Sequence, residues 1–314
     1  MKLIEPSFYK EFNCTASMCK HNCCIGWEID IDESTLDFYS KVGGSFGGKI
    51  KNNIDVKGTP HFILGSDERC PFLNDKNLCD VIINLGQDRL CQVCTDHPRF
   101  RTYLPDRVEV GLGLCCEEAT RLLLSNNMPL NFYSSNIDSE DEELDESYNL
   151  TISLRDKIIS MLQNRSLSIE QRINNLLADY GVEWRKRGID EWVGVLLGLE
   201  RLDDAWTQKL SELKLSNNLD IKGFKGSSFY EEYRYEHIVV YMIYRHFMES
   251  LYDNDIISKI KFAVLSYKII LSLDALKWQK DGNLSIDDCI ENIRSYSSEI
   301  EYSDENMSIL YDYL

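Results

Sequence analysis

Eleven cysteines occur in the 314 residues, and ten of them fall between Cys14 and Cys116. Thiolates act as nucleophiles, redox couples and soft-metal ligands. The first group, Cys14, Cys19, Cys23 and Cys24, has the spacing C-x4-C-x3-C-C. Ligands on one short loop are preorganised and can be deprotonated together, which a soft metal or a cluster requires. Adjacent Cys23 and Cys24 form a strained ring if they bond to each other, so their side chains are expected to point apart, with one of the two as a ligand. The second group is Cys70, Cys79, Cys91 and Cys94, in which Cys91 and Cys94 make a C-x-x-C clip suited to zinc or iron. Cys115 and Cys116 close the region. A single cysteine is most often a small buried apolar residue. Ten within 103 residues are not explained that way. Two sites of four cysteines each fit either zinc or iron–sulfur. Histidine is scarce beside the clips, with His21 and His97 its only members there, and this favours clusters. His61, His237 and His246 carry no motif and read as core or surface residues.

The compartment argues the same way. Disulfide frameworks belong to oxidising compartments. The first residues, MKLIEPSFYKEF, have a lysine but no apolar stretch behind it, so a signal peptide is not expected. No window approaches the roughly 18 apolar residues of a membrane span. A cytoplasmic protein with no membrane insertion is expected, and dense cysteines there hold metal or do redox work. The net charge of −18 and pI of about 4.7 repel phosphate backbones, so nucleic acid is not an expected partner. The same charge attracts a basic target such as a lysine-bearing protein.

Hydrophobic residues make up 43% of the chain, enough to build a core. The expected class is mainly α: an irregular cysteine-rich N-terminal metal domain (1–135), an acidic linker (136–147) and a helical C-terminal domain (148–314). Apolar residues recur at helical spacing in 150–164 (Leu150, Leu154, Ile158, Ile159, Leu162), in 189–202, in 233–250 and in 256–277. Gly181, Gly188 and the KGFKGSS stretch at 222–228 mark breaks between helices. In the N-terminal region a helix is expected to begin near Asp32 or Ser34, each a suitable cap. KVGGSFGGK at 41–49 lacks the strand-to-helix context of a phosphate loop and reads as a flexible turn. RVEVGLGL at 107–114 suits a short strand, and 117–125 a helix.

The cysteine segments resemble a known family. FNCTASMCKHNCCIGWEIDID at 12–32, CPFLNDKNLCDVIINLGQDRLCQVCTDHPRF at 70–100, EVGLGLCCEEATRLLL at 109–124 and YRYEHIVVYMIYRHFM at 233–248 are similar to the bacterial flagellin lysine-N-methylase family. The cysteine region is also similar to a broader group of zinc- or iron-chelating domains. The resemblance implies a 4Fe–4S cluster and methyl transfer from S-adenosylmethionine to lysines of flagellin, the partner it names. By the same match Cys14, Cys19, Cys23, Cys24, Cys70, Cys79, Cys91, Cys94 and Cys115 align with the family's cysteines. Cys116 stands where the family usually has proline. The C-x3-C-x2-C motif of standard radical enzymes that use S-adenosylmethionine is missing, and the chain is shorter than some members.

Methylating an amine needs an in-line sulfonium, a neutral nitrogen and a route for the proton. The glycine-rich turn after a strand that usually holds the cofactor is not found in this sequence. Arg99, in HPRF, is the candidate contact for the carboxylate of S-adenosylmethionine, because arginine binds carboxylates bidentately. Glu117 and Glu118 are candidates to orient a lysine ammonium, with Glu117 the catalytic choice. The plainer alternative is an Arg99–Glu117 structural ion pair. Trp27 is placed over the metal loop or the cofactor, with a core role as its alternative. Tyr230, Tyr233, Tyr235, Tyr241 and Tyr244 have helical spacing and read as packing residues. Two functions follow: a cluster-dependent lysine methylase, or a non-catalytic scaffold that zinc or a cluster staples together.

Overall fold

The computed structural model describes residues 1–66, 68–137, 145–182, 188–216 and 218–314. The chain folds as two compact units, one of Phe12–Phe100 with Cys116–Glu118, the other of Met1–Glu11, Arg101–Cys115 and Ala119–Leu314. Strands run, in chain order, β1 Lys2–Pro6, β2 Ile54–Asp55, β3 His61–Phe62, β4 Arg99–Leu104, β5 Arg107–Leu112 and β6 Phe132–Asn136.

The cysteine-bearing unit has little regular structure. Its helices are α1 Glu33–Lys41, α2 Gly44–Asn52, α3 Asp80–Leu85 and α4 Gln92–Asp96. Asp32 caps α1, accepting the Thr35 N–H at 3.0 Å, as the sequence leads one to expect. The glycine-rich stretch at 41–49 is not a flexible turn, because most of it is helix α2. Phe46 packs on Phe72 with ring centroids 6.1 Å apart, and Ile50 is fully buried. Burying those two side chains outweighs the roughly 1 kcal/mol that each helical glycine costs. Gly47 is itself required, since a Cβ there would lie 2.2 Å from the Val42 carbonyl oxygen. β2 and β3 pair antiparallel, Ile54 against Phe62. Tyr39 stacks on Phe62 of β3, and Phe62 meets Phe72 edge to face at 4.8 Å.

The other unit packs helices on a four-stranded sheet of order β4-β5-β1-β6. β1 runs parallel to β5, Leu3 opposite Val108, and antiparallel to β6, Leu3 opposite Ser135. The helices are α5 Glu117–Leu123, α6 Glu146–Leu162, α7 Ile169–Asp179, α8 Ile189–Leu196, α9 Asp204–Leu215, α10 Ile221–Lys225, α11 Glu232–His246, α12 Ser250–Asp253, α13 Ile256–Asp281, α14 Ile286–Tyr296 and α15 Asp304–Tyr313. Their starts are written in side chains: Asp145 caps α6, Ser168 and Gln171 form a capping box on α7, and Ser285 and Asp288 do the same on α14. α13 ends at Gly282, whose φ of +68° suits glycine. α11 and α13 are buried along most of their length and lie at the centre of the unit. Tyr235, Tyr241 and Tyr244 are buried there, which is the packing role their spacing indicates. Leu150 departs from expectation: it lies on the solvent side of α6, 67% exposed. The short helix α10 occupies part of the stretch read as a break at 222–228. Of the acidic run 136–147, residues 138–144 lie outside the described residues. Among the described residues no helix is long and apolar enough to cross a membrane.

The sheet is tied to the helices by buried polar contacts. Tyr244 donates to the Val110 carbonyl at 2.9 Å and stacks on Phe132 at 4.4 Å. Arg155 of α6 grips Glu109 of β5 with both terminal nitrogens, one at 2.6 Å, and both side chains are buried. Beyond β5, Gly113 makes room for Tyr302. A Cβ at Gly113 would stand 1.7 Å from the Tyr302 hydroxyl oxygen and 2.7 Å from Cζ. The Tyr302 ring lies against the Arg245 guanidinium at 4.8 Å, a contact it must give up to swing aside. Gly113→Ala is therefore expected to destabilise the chain by about 1–3 kcal/mol, the usual cost of overpacking. Gly48→Ala, where a Cβ meets nothing within 4 Å, is expected to be neutral or stabilising. Urea midpoints of the two variants check this.

Candidate metal centre

Local hydrogen bonds explain how distant cysteines meet. Cys24 lies against Cys70 because Ile25 and Arg69 form a bridge and the Cys70 N–H donates to the Cys24 carbonyl at 2.8 Å. The chain then doubles back, with Leu73 bridged to Cys79 and the Asp80 N–H donating to the Phe72 carbonyl at 2.7 Å. Arg69 closes that loop by donating to the carbonyl oxygens of Leu73 and Asn74. The Asn74 side chain accepts the N–H groups of Lys76 and Leu78 and donates to Asp80. The C-x-x-C clip opens α4. One oxygen of Asp32 caps α1 while the other accepts the Gln92 N–H at 2.8 Å, so a single carboxylate holds both helices. Burial opposes ionisation of Asp32, but these bonds hold its carboxyl well below the usual range. Tyr39 donates to the Arg89 carbonyl at 2.7 Å and fixes the chain leading into the clip.

The outcome is one core containing five thiols. Cys70 and Cys91 are buried in it, and Cys24, Cys79 and Cys94 pack against it. The sulfurs of Cys91 and Cys94 are 3.4 Å apart. Burial pushes the Cys70 thiol up to about 11 and also raises Cys79. The hydrogen bond shared with Cys94 holds Cys91 below its ordinary value, against burial. Negative charge on any of these sulfurs disfavours it on the next. Four of the five donors, Cys91 excepted, are pushed up, and a thiophilic cation would stabilise all five together as thiolates. Among the described residues no three His, Cys, Asp or Glu side chains already converge as an ion requires.

The other predicted residues, apart from Cys115, fall elsewhere in the same unit. Cys14, Cys19 and Cys23 sit on the more open loop, but the Cys23 thiol shares a hydrogen bond with that of Cys24, so the adjacent pair does not point apart as expected. Thr15 Oγ1 is 2.8 Å from the Cys19 sulfur, and the Ala16 N–H reaches the Cys14 sulfur at 3.4 Å. Glu117, which belongs to this unit, accepts the Lys20 N–H of the loop at 2.9 Å. Trp27 donates from Nε1 to the Cys23 carbonyl at 2.6 Å, and its ring lies 6.2 Å from that of His97. Burial lowers His97 to about 4, so it stays neutral. Arg99 lies over the Phe12 ring at 5.0 Å and donates to the Thr95 carbonyl at 3.5 Å. Cys115 belongs to the helical unit, where the Tyr302 hydroxyl is its hydrogen-bond partner. The structure thus brings together five of the nine cysteines that the resemblance assigns. Asp32 was visible as a cap, but its grip on α4 was not. Arg69, Asn74 and Tyr39 carry no motif.

Two of the buried polar groups in the helical unit are Asp274 and Glu301. Asp274 accepts from Tyr235 and from Asn292, each at 2.8 Å, and burial raises its carboxyl to about 6 against an ordinary 3.8. The fold favours the protonated form. This stabilisation is full below about pH 4 and is lost as pH rises through about 6, on the order of 3 kcal/mol. Asp274→Asn keeps a neutral group of the same shape. It is expected to unfold less readily than the parent at pH 7 and to lose that advantage at pH 4, as urea titrations at the two values check. The second group is Glu301, in a π-helical turn, Ser297–Glu301. It accepts from His246 at 2.9 Å and pairs with Arg245.

Residues 198–314, from the end of α8 onward, match the FliB lysine N-methylase C-terminal domain. The flagellar biosynthetic protein FliU of Salmonella muenchen is 30% identical over 129 residues, 39% of this chain and 76% of that protein. The lysine-N-methylases of Salmonella typhimurium and Salmonella choleraesuis are each 29% identical over 129 residues, which cover 39% of this chain but only 32% of those proteins. No solved structure matches. With a relative matched over three quarters of its length and a domain match that includes the central helices, the chain belongs to the FliB lysine N-methylase family.

Proposed function

We propose that the chain is a protein lysine N-methyltransferase that acts on flagellin, takes its methyl group from S-adenosylmethionine, and holds a 4Fe–4S cluster on thiols of its cysteine unit. The observation that carries the activity is the match of residues 198–314 to the FliB domain, with two relatives named lysine-N-methylase. The five-thiol core supports the cluster, since four such donors are what a 4Fe–4S centre requires. The acidic chain, at −18, favours encounter with a lysine-bearing protein surface.

S-adenosylmethionine supplies an electrophilic methyl on a sulfonium sulfur. The cluster, when bound, supplies an iron–sulfur centre able to bind or reduce. The residues of the chain have narrower tasks. Cys24, Cys70, Cys79, Cys91 and Cys94 provide the sulfur donors, and Asp32 and Tyr39 keep the last two in place. Arg99 and Glu117 remain our choices for a carboxylate contact and an ammonium contact. A lysine ammonium must lose its proton before nitrogen can attack, and a carboxylate beside it orients it for that loss.

The test is to incubate anaerobically reconstituted chain with S-adenosylmethionine and flagellin and to map flagellin peptides by mass spectrometry. Methylated lysines that need both the chain and the methyl donor support the reading. A chain that binds metal but leaves flagellin unmodified would favour the scaffold reading instead.

A further inference from the structure

The clip at Cys91 and Cys94 is built for a second kind of chemistry. Its sulfurs are 3.4 Å apart, and a disulfide bond is about 2.05 Å long, so closure needs a shift of roughly 1.4 Å. The chain on either side of Cys91 is held, by Tyr39 on the Arg89 carbonyl and by Asp32 on the Gln92 N–H. Cys91 is fully buried, whereas Cys94 is partly exposed. Cys23 and Cys24, the other close pair in this unit, are adjacent in sequence, where a disulfide is strained.

We propose that Cys91 and Cys94 form a reversible disulfide in the metal-free chain and so gate metal loading of the thiol core. The gate rests on the reading that this core binds metal. Oxidation removes two of the five thiols and leaves three, one fewer than a four-ligand centre uses. The reagent is a small-molecule disulfide such as glutathione disulfide. The Cys94 thiolate attacks one of its sulfurs, the glutathione S–S bond breaks and one glutathione thiolate leaves. The Cys91 thiolate then attacks the Cys94 sulfur, the protein S–S bond forms and the second glutathione leaves. The two cysteine thiols lose two electrons and two protons, which convert glutathione disulfide into two glutathione thiols.

The test uses the full chain, stripped of metal and equilibrated without oxygen in glutathione buffers of rising oxidised fraction. Peptide mapping is expected to find the first disulfide between Cys91 and Cys94. Zinc(II) uptake by the oxidised chain is expected to fall roughly tenfold or more and to return after reduction with dithiothreitol. A Cys94→Ser chain is expected to form no early disulfide. A first disulfide elsewhere, or equal zinc uptake by oxidised and reduced chain, would overturn the gate. No uptake by the reduced chain would instead sink the metal reading, whatever the disulfide does.

Discussion

Glu236→Gln is expected to destabilise the chain by about 3–5 kcal/mol, the usual result of removing one partner from a buried ion pair. Glu236 is fully buried on α11 and accepts from two guanidinium groups. Arg165 reaches it through Nε and a terminal nitrogen, at 2.8 and 2.7 Å. Arg172, itself buried, reaches it from α7 at 2.5 Å. Glutamine keeps the shape but turns one acceptor into a donor; it removes the charge that Arg165 faces and leaves the buried Arg172 with Glu232 alone, at 2.6 Å. The loss should appear as a lower urea midpoint with an unchanged slope. The control is Glu170→Gln. Glu170 pairs with Lys225 but is mostly exposed, and such pairs contribute about 0–1 kcal/mol. Equal effects from the two substitutions would show that burial is not what gives Glu236 its weight.

The second large effect concerns metal retention. Serine at four or more of Cys24, Cys70, Cys79, Cys91 and Cys94, tested one at a time, is expected to lower iron content roughly tenfold or more. Even the loss of a partner outside the ligand set commonly weakens metal binding by 10–100-fold. Serine at Cys14 or Cys23 is expected to leave most of the iron in place, because these residues lie outside the shared core. Asp32→Ala is expected to fall between, since it frees α4 without removing a donor. The opposite ranking, with Cys14, Cys19 and Cys23 the sensitive positions, would place the centre on the outer loop. Iron and sulfide assays on identically purified variants decide it.

Much of the helical unit could be read from the chain because its signals are local. Caps at Asp145, Ser168 and Ser285 and the apolar faces of α11 and α13 act within a few residues of themselves. The strand expected at 107–114 is found at Arg107–Leu112, but its parallel partner, Lys2–Pro6, was not legible. That pairing spans a hundred residues and leaves no periodic trace. The helix at Gly44–Asn52 was hidden for a related reason: its glycines argue for a turn, and only the distant Phe72 makes a helix worth forming. The cysteine region announced its chemistry by density alone. Spacing did not separate the five thiols that share a core from the three on the open loop. That division depends on the Ile25–Arg69 and Leu73–Cys79 bridges, which no motif encodes. Asp32 shows the same limit in one residue: its cap on α1 is a local signal, and its hold on the C-x-x-C helix crosses 60 residues.

The most direct test of the account is metal and sulfide analysis of the chain purified without oxygen. The account predicts about four irons and four sulfides per chain, lost when core cysteines are replaced. One zinc per chain with no sulfide would contradict it and leave a zinc-stapled unit in its place.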